Sequence, residues 1–239
     1  MKRITVIAGH YGSGKTEFAV NFALDLKKKI DAEGRHDKVA LLDMDIANPY
    51  FRSRERQKML NKAGVETIYN TFGFDITEDL PAITAAVRGP LENTDYQVVV
   101  DVGGNDSGAR VLKQFAKYLT GDDVELLCVL NGNRMETDTV NGMIEHLESI
   151  ELETALKFDG VINNTHMLME TTAEDVVRGY ELCSMVSEKL GIPVVWNTCR
   201  ADLLDELKTL MEADVSETVM DWETVYPLKL YMRPSWLDK

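Results

Sequence analysis

The sequence predicts an α/β fold in which a mostly parallel sheet lies between two layers of helices, a three-layer αβα arrangement. Short apolar runs alternate with segments of helical periodicity along most of the chain. These runs hold few polar positions, which is typical of strands buried on both faces of a parallel sheet. With 239 residues, 44% of them hydrophobic, the chain can bury a sizeable core. We therefore predict one domain over residues 1–239, with residues 215–239 left unassigned.

Short apolar runs, several of them rich in β-branched residues, are the predicted strands. They are Ile4–Ala8, Val39–Leu42, Val65–Tyr69, Gln97–Val102, Val124–Leu130, Gly160–Asn163 and Pro193–Asn197. In a parallel sheet the carboxyl ends of the strands meet at one edge, and ligands bind there. The residues that follow each strand are therefore the candidates for function.

Helical periodicity separates these strands. In the first helix the apolar residues recur every four positions, at Phe18, Phe22, Leu26 and Ile30. The other predicted helices are Ser53–Ala63, Leu80–Val87, Ser107–Leu119, Thr137–Ile150, Ala173–Leu190 and Ala201–Met211. Pro227 and Pro234 interrupt the remaining C-terminal residues, since proline ends regular elements.

The charge balance argues against several classes of partner. Lysine and arginine number 26 against 40 acidic residues, a formal charge of −14. A broad nucleic-acid surface or an anionic membrane would need clustered cations. No apolar run is long enough to span a bilayer, and no secretory signal begins the sequence. The three cysteines form no closely spaced pair, which fits reduced, buried thiols and predicts a cytoplasmic protein.

A phosphate-binding loop follows the first strand. It reads Gly9-His10-Tyr11-Gly12-Ser13-Gly14-Lys15-Thr16 and fits the pattern G-x-x-x-x-G-K-[ST] in full. Glycines let the backbone curl so that successive N–H groups face an anion, and the helix that follows adds its positive end. The lysine reaches the β- and γ-phosphates, and the threonine hydroxyl can ligate Mg²⁺. The predicted nucleotide contacts here are Gly12, Ser13, Gly14, Lys15 and Thr16.

Acidic residues follow two further strands. Asp43 and Asp45 come directly after the second strand, and Asp101 ends the apolar run that begins at Val98. An aspartate in the latter position is typical of a Walker B site, where it holds Mg²⁺ through water. Gly104 follows it and could present its backbone N–H to a γ-phosphate.

Together these residues resemble the MinD/ParA-like branch of the SIMIBI class of P-loop NTPases, whose nucleotide-binding domain is shared with CobQ and CobB. The likeness in topology covers roughly residues 1–200, whereas the motifs cover about 25 residues. The resemblance implies that Asp43 lies near the metal and that Asp45 helps to place the attacking water. It also assigns the metal-binding hydroxyl to Thr16 and the Walker B acid to Asp101.

His10 departs from the pattern of that family. The dimerising members carry a signature lysine at this position of the loop, and here a histidine stands there. Lysine is a permanent cation that can reach a partner's phosphate, whereas histidine near neutral pH is mostly uncharged. A homodimer or another protein partner is therefore left open, and His10 is alternatively a packing residue of the loop.

The residues after the sixth strand indicate adenine rather than guanine. A guanine-specific N-K-x-D pattern would place an aspartate at position 166, which is His166 here. Without that carboxylate, Asn163 or Asn164 is the candidate for bonding the adenine amino group, and turn asparagines are the plain alternative. The predicted cofactors are thus ATP and Mg²⁺.

A cluster of cations follows the acidic pair of the second strand. Four of the seven residues from Arg52 to Lys58 are Arg or Lys. One interpretation is a solvated helix face paired with neighbouring acids. The other is a switch segment in which Arg52 or Arg54 responds to the γ-phosphate.

The leading functional hypothesis is a Mg-ATP-binding protein that hydrolyses ATP slowly and uses its nucleotide state to control conformation or partner binding. Lys15 and Mg²⁺ would stabilise charge while Asp45 orients the attacking water. The alternative is an ATP-dependent ligase or kinase that acts on a small molecule, as in enzymes like dethiobiotin synthetase or the cobyrinate amidases. No residue string identifies an acceptor for such a reaction.

Overall fold

An eight-stranded parallel sheet forms the centre of the protein. The structure, a computed structural model, describes residues 2–44, 56–69, 80–103, 106–213 and 220–232. The strands are β1 (Ile4–Gly9), β2 (Lys38–Asp43), β3 (Val65–Tyr69), β4 (Tyr96–Asp101), β5 (Val124–Leu130), β6 (Gly160–Asn163), β7 (Val194–Arg200) and β8 (Val225–Leu228). Their order across the sheet is β3-β2-β4-β1-β5-β6-β7-β8. Because β1 lies between β4 and β5, the loop after β1 sits near the middle of the carboxyl edge.

Seven α-helices are found in the described part of the chain. They are α1 (Lys15–Ala32), α2 (Gln57–Lys62), α3 (Leu80–Glu92), α4 (Asp106–Phe115), α5 (Val140–Thr154), α6 (Ala173–Leu190) and α7 (Leu204–Ala213). The ends of α6 follow local sequence rules. Thr172 and Asp175 form a reciprocal capping box at its start, and Gly191 ends it with a left-handed φ of 69°.

Two apolar layers cover the two faces of the sheet. Along β4, Val98 and Val100 belong to one buried cluster, whereas Val99 belongs to the other. The first layer comes mainly from α3 to α6, and the second from α1, α2 and the residues around β8. All four apolar positions predicted for one face of α1 are buried. The predicted three-layer α/β fold, with strands buried on both faces, is therefore confirmed.

The C-terminal region holds the largest difference from the sequence prediction. All seven predicted strands are present, but β8 is an eighth, and it includes Pro227, which was expected to interrupt regular structure. Proline is tolerated there because β8 lies at the edge of the sheet, where a missing N–H need not break a ladder bond. In α3, Pro90 lies inside the helix, which continues to Glu92 rather than ending near Val87.

The cysteines are free and buried, as their spacing predicts. Burial raises the pKa of the Cys183 and Cys199 thiols to about 12. They are therefore inert packing residues at neutral pH. Within the described ranges, no helix combines the length and the apolar character needed to cross a bilayer.

Candidate functional site

The glycine-rich loop links the end of β1 to the start of α1. Gly12 and Gly14 have φ angles of 77° and 81°, the left-handed region that side chains rarely adopt. A Cβ at Gly14 would also lie 2.3 Å from the Asn164 amide nitrogen. The Ser13 N–H donates to the His10 carbonyl at 3.0 Å, which closes the turn. These two glycines are therefore required by both backbone conformation and space.

Side chains from other strand ends hold the carbonyls of this loop. The Gly12 carbonyl accepts hydrogen bonds from Asn131 Nδ2 at 3.3 Å and Arg134 Nε at 3.1 Å. The Ser13 carbonyl accepts one from Asn164 Nδ2 at 2.6 Å. The Ser13 carbonyl and the Gly14 N–H belong to one trans peptide and point in opposite directions. Because the carbonyl points towards Asn164, the Gly14 N–H points away from Asn164. The loop is thus fixed with backbone donors available to an anion.

Polar side chains are buried where the loop enters α1. Lys15 is 4% exposed and Thr16 is 5% exposed, at the first turn of the helix. The Ser13 hydroxyl is buried and has no hydrogen-bond partner among the described residues. Buried polar atoms normally find partners, so this hydroxyl fits a site that is completed by a ligand. The helix dipole adds partial positive charge at the same place.

Two carboxylates lie side by side at the ends of β2 and β4. Asp43 and Asp101 are register partners on these adjacent strands, and Asp101 also pairs with Ile7 of β1. Their side chains are buried, with exposures of 7% and 0%. Adjacent strands lie about 4.8 Å apart, so the structure brings these two predicted metal ligands together. The described residues contain no group of three or more His, Cys, Asp or Glu arranged to hold a metal.

This donor set fits Mg²⁺. The ion prefers oxygen ligands, keeps several waters, and is usually held by one or two carboxylates with substrate phosphates. Asp43, Asp101 and the Thr16 hydroxyl supply that set beside a loop suited to phosphate. Their roles as ligands remain predictions.

The segment after β4 is packed tightly against α4. A Cβ at Gly108 would lie 1.7 Å from the Gly103 carbonyl oxygen. Any side chain at position 108 would therefore displace the residues that follow Asp101. Four predicted functional residues lie outside the described residues: Asp45, Arg52, Arg54 and Gly104.

The two asparagines predicted to contact the base make hydrogen bonds inside the protein. Asn163 Nδ2 donates to the Val176 carbonyl at 2.9 Å and to Asn197 Oδ1 at 3.1 Å. Asn164 donates to the loop, as described, and accepts a bond from the Thr198 hydroxyl. Both side chains are buried. The structure thus gives them a positioning role, and base contact by either one stays a prediction.

A cavity of about 630 Å³ opens beside the phosphate loop. Lys15 and Thr16 line it at the loop end, and residues 166–171 after β6 line one wall. Arg200 fixes that wall, because its Nη1 donates to the carbonyls of Leu168 and Met169 at 2.9 and 3.0 Å. The other two guanidinium nitrogens pair with Asp202. The cavity is large enough for a nucleoside.

Residues Lys229–Met232, here called the C-terminal strap, also contribute to the lining of this cavity, through Leu230 and Met232. Asn21 of α1 accepts from the Lys229 N–H and donates to the Lys229 carbonyl, at 3.0 and 2.8 Å. Glu17 accepts from the N–H groups of Tyr231 and Met232. Arg56 donates to the Tyr231 carbonyl. The strap is therefore tied to the first turns of the helix that begins at the phosphate loop.

Glu17 and His166 have shifted pKa values. Burial raises the pKa of Glu17 to about 7, although the two strap N–H groups and the nearby Arg56 charge oppose the shift. Burial also lowers the pKa of His166 to about 4, and the Arg134 charge adds to that effect. His166 is therefore neutral at physiological pH and supplies no cation to this side of the site.

Sequence reasoning missed several residues of the site. Asn131, Arg134 and Thr198 follow or end strands at the carboxyl edge, where the parallel sheet predicts function. Inspection of the residues after β5 and β7 by the same rule would have found them. Glu17 and Asn21 carried no such signal, because their partners lie more than 200 residues away.

Comparison with known proteins agrees with this fold. No protein-family model matches the sequence, and no curated protein sequence matches it. Among solved structures, the cell division protein FtsY of Thermotoga maritima has a TM-score of 0.50 at 21% identity, over 81% of this chain and 60% of that protein. FtsY of Mycoplasma mycoides has a TM-score of 0.52 at 18% identity, over 81% and 59%.

A third structural neighbour was solved with a nucleotide. The signal recognition particle 54 kDa protein of Aeropyrum pernix, in complex with GDP, has a TM-score of 0.51 at 20% identity, over 80% of this chain and 40% of that protein. The chain thus spans between 40% and 60% of the length of these three neighbours. The phosphate loop, its position after β1 and these likenesses together give the chain an α/β fold of the P-loop NTPase type.

Proposed function

We propose that the chain binds a purine nucleoside triphosphate with Mg²⁺, hydrolyses it slowly and changes conformation or partner with its nucleotide state. One observation carries the proposal. The Gly12 and Ser13 carbonyls are anchored by three side chains from other strand ends, with Lys15 buried beside them. Such preorganisation of backbone donors suits an anion.

The proposed chemistry is the attack of water on the γ-phosphate. Lys15 would bind the β- and γ-phosphate oxygens, and the backbone N–H groups of the loop would hold the phosphate chain in line. Thr16, Asp43 and Asp101 would hold Mg²⁺, which supplies charge neutralisation for the phosphates when bound. Asp45 is proposed to orient the attacking water, as the resemblance to the MinD/ParA-like branch implies.

For the base, two arguments point in opposite directions. The aspartate of the guanine-specific pattern is absent, since residue 166 is histidine. The Aeropyrum pernix neighbour, however, holds GDP. Glu170 also lines the cavity and offers a carboxylate that the N1–H and amino group of guanine could use. We therefore propose GTP as the first nucleotide to test, with ATP as its competitor.

The test is direct binding and turnover with GTP and with ATP in the presence of Mg²⁺. The proposal expects phosphate release that depends on one of them and is lost in Lys15→Ala. The matched control is Lys28→Ala, because Lys28 is an exposed lysine of the same helix. Binding of neither nucleotide would refute the proposal. Strong stimulation by a carboxylic acid or a nucleoside would instead favour the ligase or kinase alternative.

A further inference from the structure

An arginine from the segment after β5 lies against the phosphate loop. Arg134 Nε donates to the Gly12 carbonyl at 3.1 Å. A Cβ at Gly12 would lie 2.8 Å from Arg134 Cζ and 3.0 Å from its Nη2, so the guanidinium group as a whole packs against this glycine. Arg134 also lines the cavity beside the loop, together with Lys15 and Thr16. The guanidinium group therefore borders both the loop and the cavity that we propose holds the nucleotide.

The outer nitrogens of this group, Nη1 and Nη2, have no hydrogen-bond acceptor among the described residues. Within the same ranges, no carboxylate forms an ion pair with Arg134. Arg178 and Arg200, by contrast, bind protein acceptors through their outer nitrogens. Arg134 is half-buried, and a cation that is partly removed from water is unfavourable unless an anion compensates it. An anion in the cavity would supply that compensation.

The backbone that carries Arg134 is held without any contribution from these outer nitrogens. The Asn131 carbonyl accepts from the Arg134 N–H at 3.1 Å and from the Thr137 hydroxyl at 2.7 Å. Arg178 of α6 donates to the Gly132 carbonyl at 3.3 Å. The segment after β5 is thus fixed to itself and to α6, which places the guanidinium group in advance of ligand binding.

The loop itself supplies little positive charge. Lys15 is its only permanent cation. The His10 ring packs against that of His146 in α5, with centroids 5.3 Å apart and planes inclined by 75°. The charge of Arg134 reaches the cavity, because, after burial, it contributes to the lowered pKa of His166, which lines the same cavity. A triphosphate carries several negative charges, so a second cation beside the lysine would favour its binding.

We propose that Arg134 binds the phosphate chain of the nucleotide through Nη1 and Nη2, as a second cation beside Lys15. This inference rests on the proposed function. A guanidinium group presents its N–H donors in one plane, which matches two oxygens of a phosphate group. Nε remains on the Gly12 carbonyl. One side chain therefore fixes the loop and also binds the anion that the loop holds.

Arg134→Gln separates these two contacts. Glutamine Nε2 is bonded to Cδ, as arginine Nε is, so the variant keeps a donor for the Gly12 carbonyl and loses both outer nitrogens. We expect it to bind nucleoside triphosphate and inorganic tripolyphosphate, each with Mg²⁺, about thirtyfold more weakly than wild type. Arg134→Lys keeps the charge but not the planar pair of donors, and should lose about fivefold. Calorimetry measures both affinities.

Arg35→Gln is the matched control, because Arg35 is an exposed arginine that follows the other end of α1. It should bind both ligands as wild type does. If Arg134→Gln kept its affinity for tripolyphosphate while Lys15→Ala lost it, this inference alone would be overturned, and Arg134 would only anchor the loop. A loss confined to the nucleotide would also overturn it, since the guanidinium group would then serve the base. Binding of no nucleotide by the wild type would refute the proposed function as well.

A second measurement uses the wild type, so it does not depend on the folding of a variant. Phenylglyoxal modifies accessible guanidinium groups, and mass spectrometry of peptides follows each arginine separately. With Mg²⁺ and tripolyphosphate at about ten times its Kd, modification of Arg134 should slow about tenfold. Modification of Arg35 should not change. Equal rates at Arg134 with and without tripolyphosphate would contradict phosphate binding by this side chain.

Discussion

The two ends of the candidate nucleotide cavity are built in different ways. The phosphate end comes from eight consecutive residues, Gly9 to Thr16, whose backbone forms most of the site. The rest of the lining, which we propose receives the base and here call the base end, brings together residues 166–171, Arg200 and the C-terminal strap, which are separated by tens of residues in sequence. The first end therefore follows from a local pattern, and the second from tertiary contacts that no local pattern describes.

The difference in construction implies a difference in function. A phosphate chain is the same in every nucleoside triphosphate, so one short pattern can serve many proteins. Base recognition requires a pocket of particular shape and polarity, which must be assembled from several elements. Substitutions at the phosphate end should affect all polyphosphates equally, whereas those at the base end should discriminate between nucleotides and inorganic tripolyphosphate.

The largest effect is expected for Lys15→Ala at the phosphate end. Loss of charge-assisted bonds to two phosphates should weaken binding of nucleoside triphosphate and of tripolyphosphate by about a thousandfold. Calorimetric affinities of both ligands, with Lys28→Ala as control, provide the measurement. A variant that lost only the nucleotide would contradict the assignment of Lys15 to phosphate.

The next largest effect is expected in the pH dependence of the free energy of unfolding, through Glu17, which binds the C-terminal strap. The pKa of Glu17 is about 7 when folded, above its ordinary value of 4.5. The folded state therefore holds its proton more tightly, and the contribution of Glu17 to stability is lost as the pH rises from about 4.5 through 7. The loss should reach about 3 kcal/mol. Glu17→Gln should remove it while keeping an acceptor for the strap N–H groups.

Urea unfolding at several pH values, for wild type, Glu17→Gln and the exposed Glu188→Gln, measures this contribution. The difference between variants is needed because His146 and His166 act in the opposite sense. Their pKa values are lowered to about 4, so their contribution to stability is lost as the pH falls from about 6.5 to 4. Equal pH dependence in wild type and Glu17→Gln would exclude a titrating Glu17.

The sequence predicts most of the fold, but it predicts only the phosphate end of the cavity. Strand and helix periodicity predicted seven strands at nearly correct bounds, and the parallel sheet then placed Asp43 and Asp101 side by side. Periodicity works there because each face of each strand is buried. The sequence did not predict β8, because Pro227 indicates an interruption of regular structure. Proline is acceptable in an edge strand, and only the pairing of β8 with β7 shows that β8 is one.

The third largest effect is expected for a substitution at Asn164, which contacts both the phosphate loop and β7. Asn164→Ala leaves the Ser13 carbonyl and the Thr198 hydroxyl without their partner, which should cost about 2 kcal/mol of unfolding free energy. Urea unfolding measures it, with the exposed Asn141→Ala as control. If the side chain positions the loop, affinity for tripolyphosphate falls together with that for the nucleotide. If only nucleotide affinity falls, Asn164 contacts the base as the sequence predicts.

The smallest effect is expected for Arg200→Lys at the base end. The guanidinium holds the Leu168 and Met169 carbonyls and Asp202 at once, through nitrogens in a fixed plane. An ammonium is a single point and cannot satisfy both the carbonyls and the carboxylate in that geometry. The wall formed by residues 166–171 should loosen, with a loss of nucleotide affinity of about fivefold, or about 1 kcal/mol. Tripolyphosphate affinity should not change, because none of its predicted contacts involves this wall. Calorimetry with the nucleotide and with tripolyphosphate measures the two affinities separately. An equal loss of affinity for both ligands would show that the wall and the phosphate loop are coupled and do not act independently.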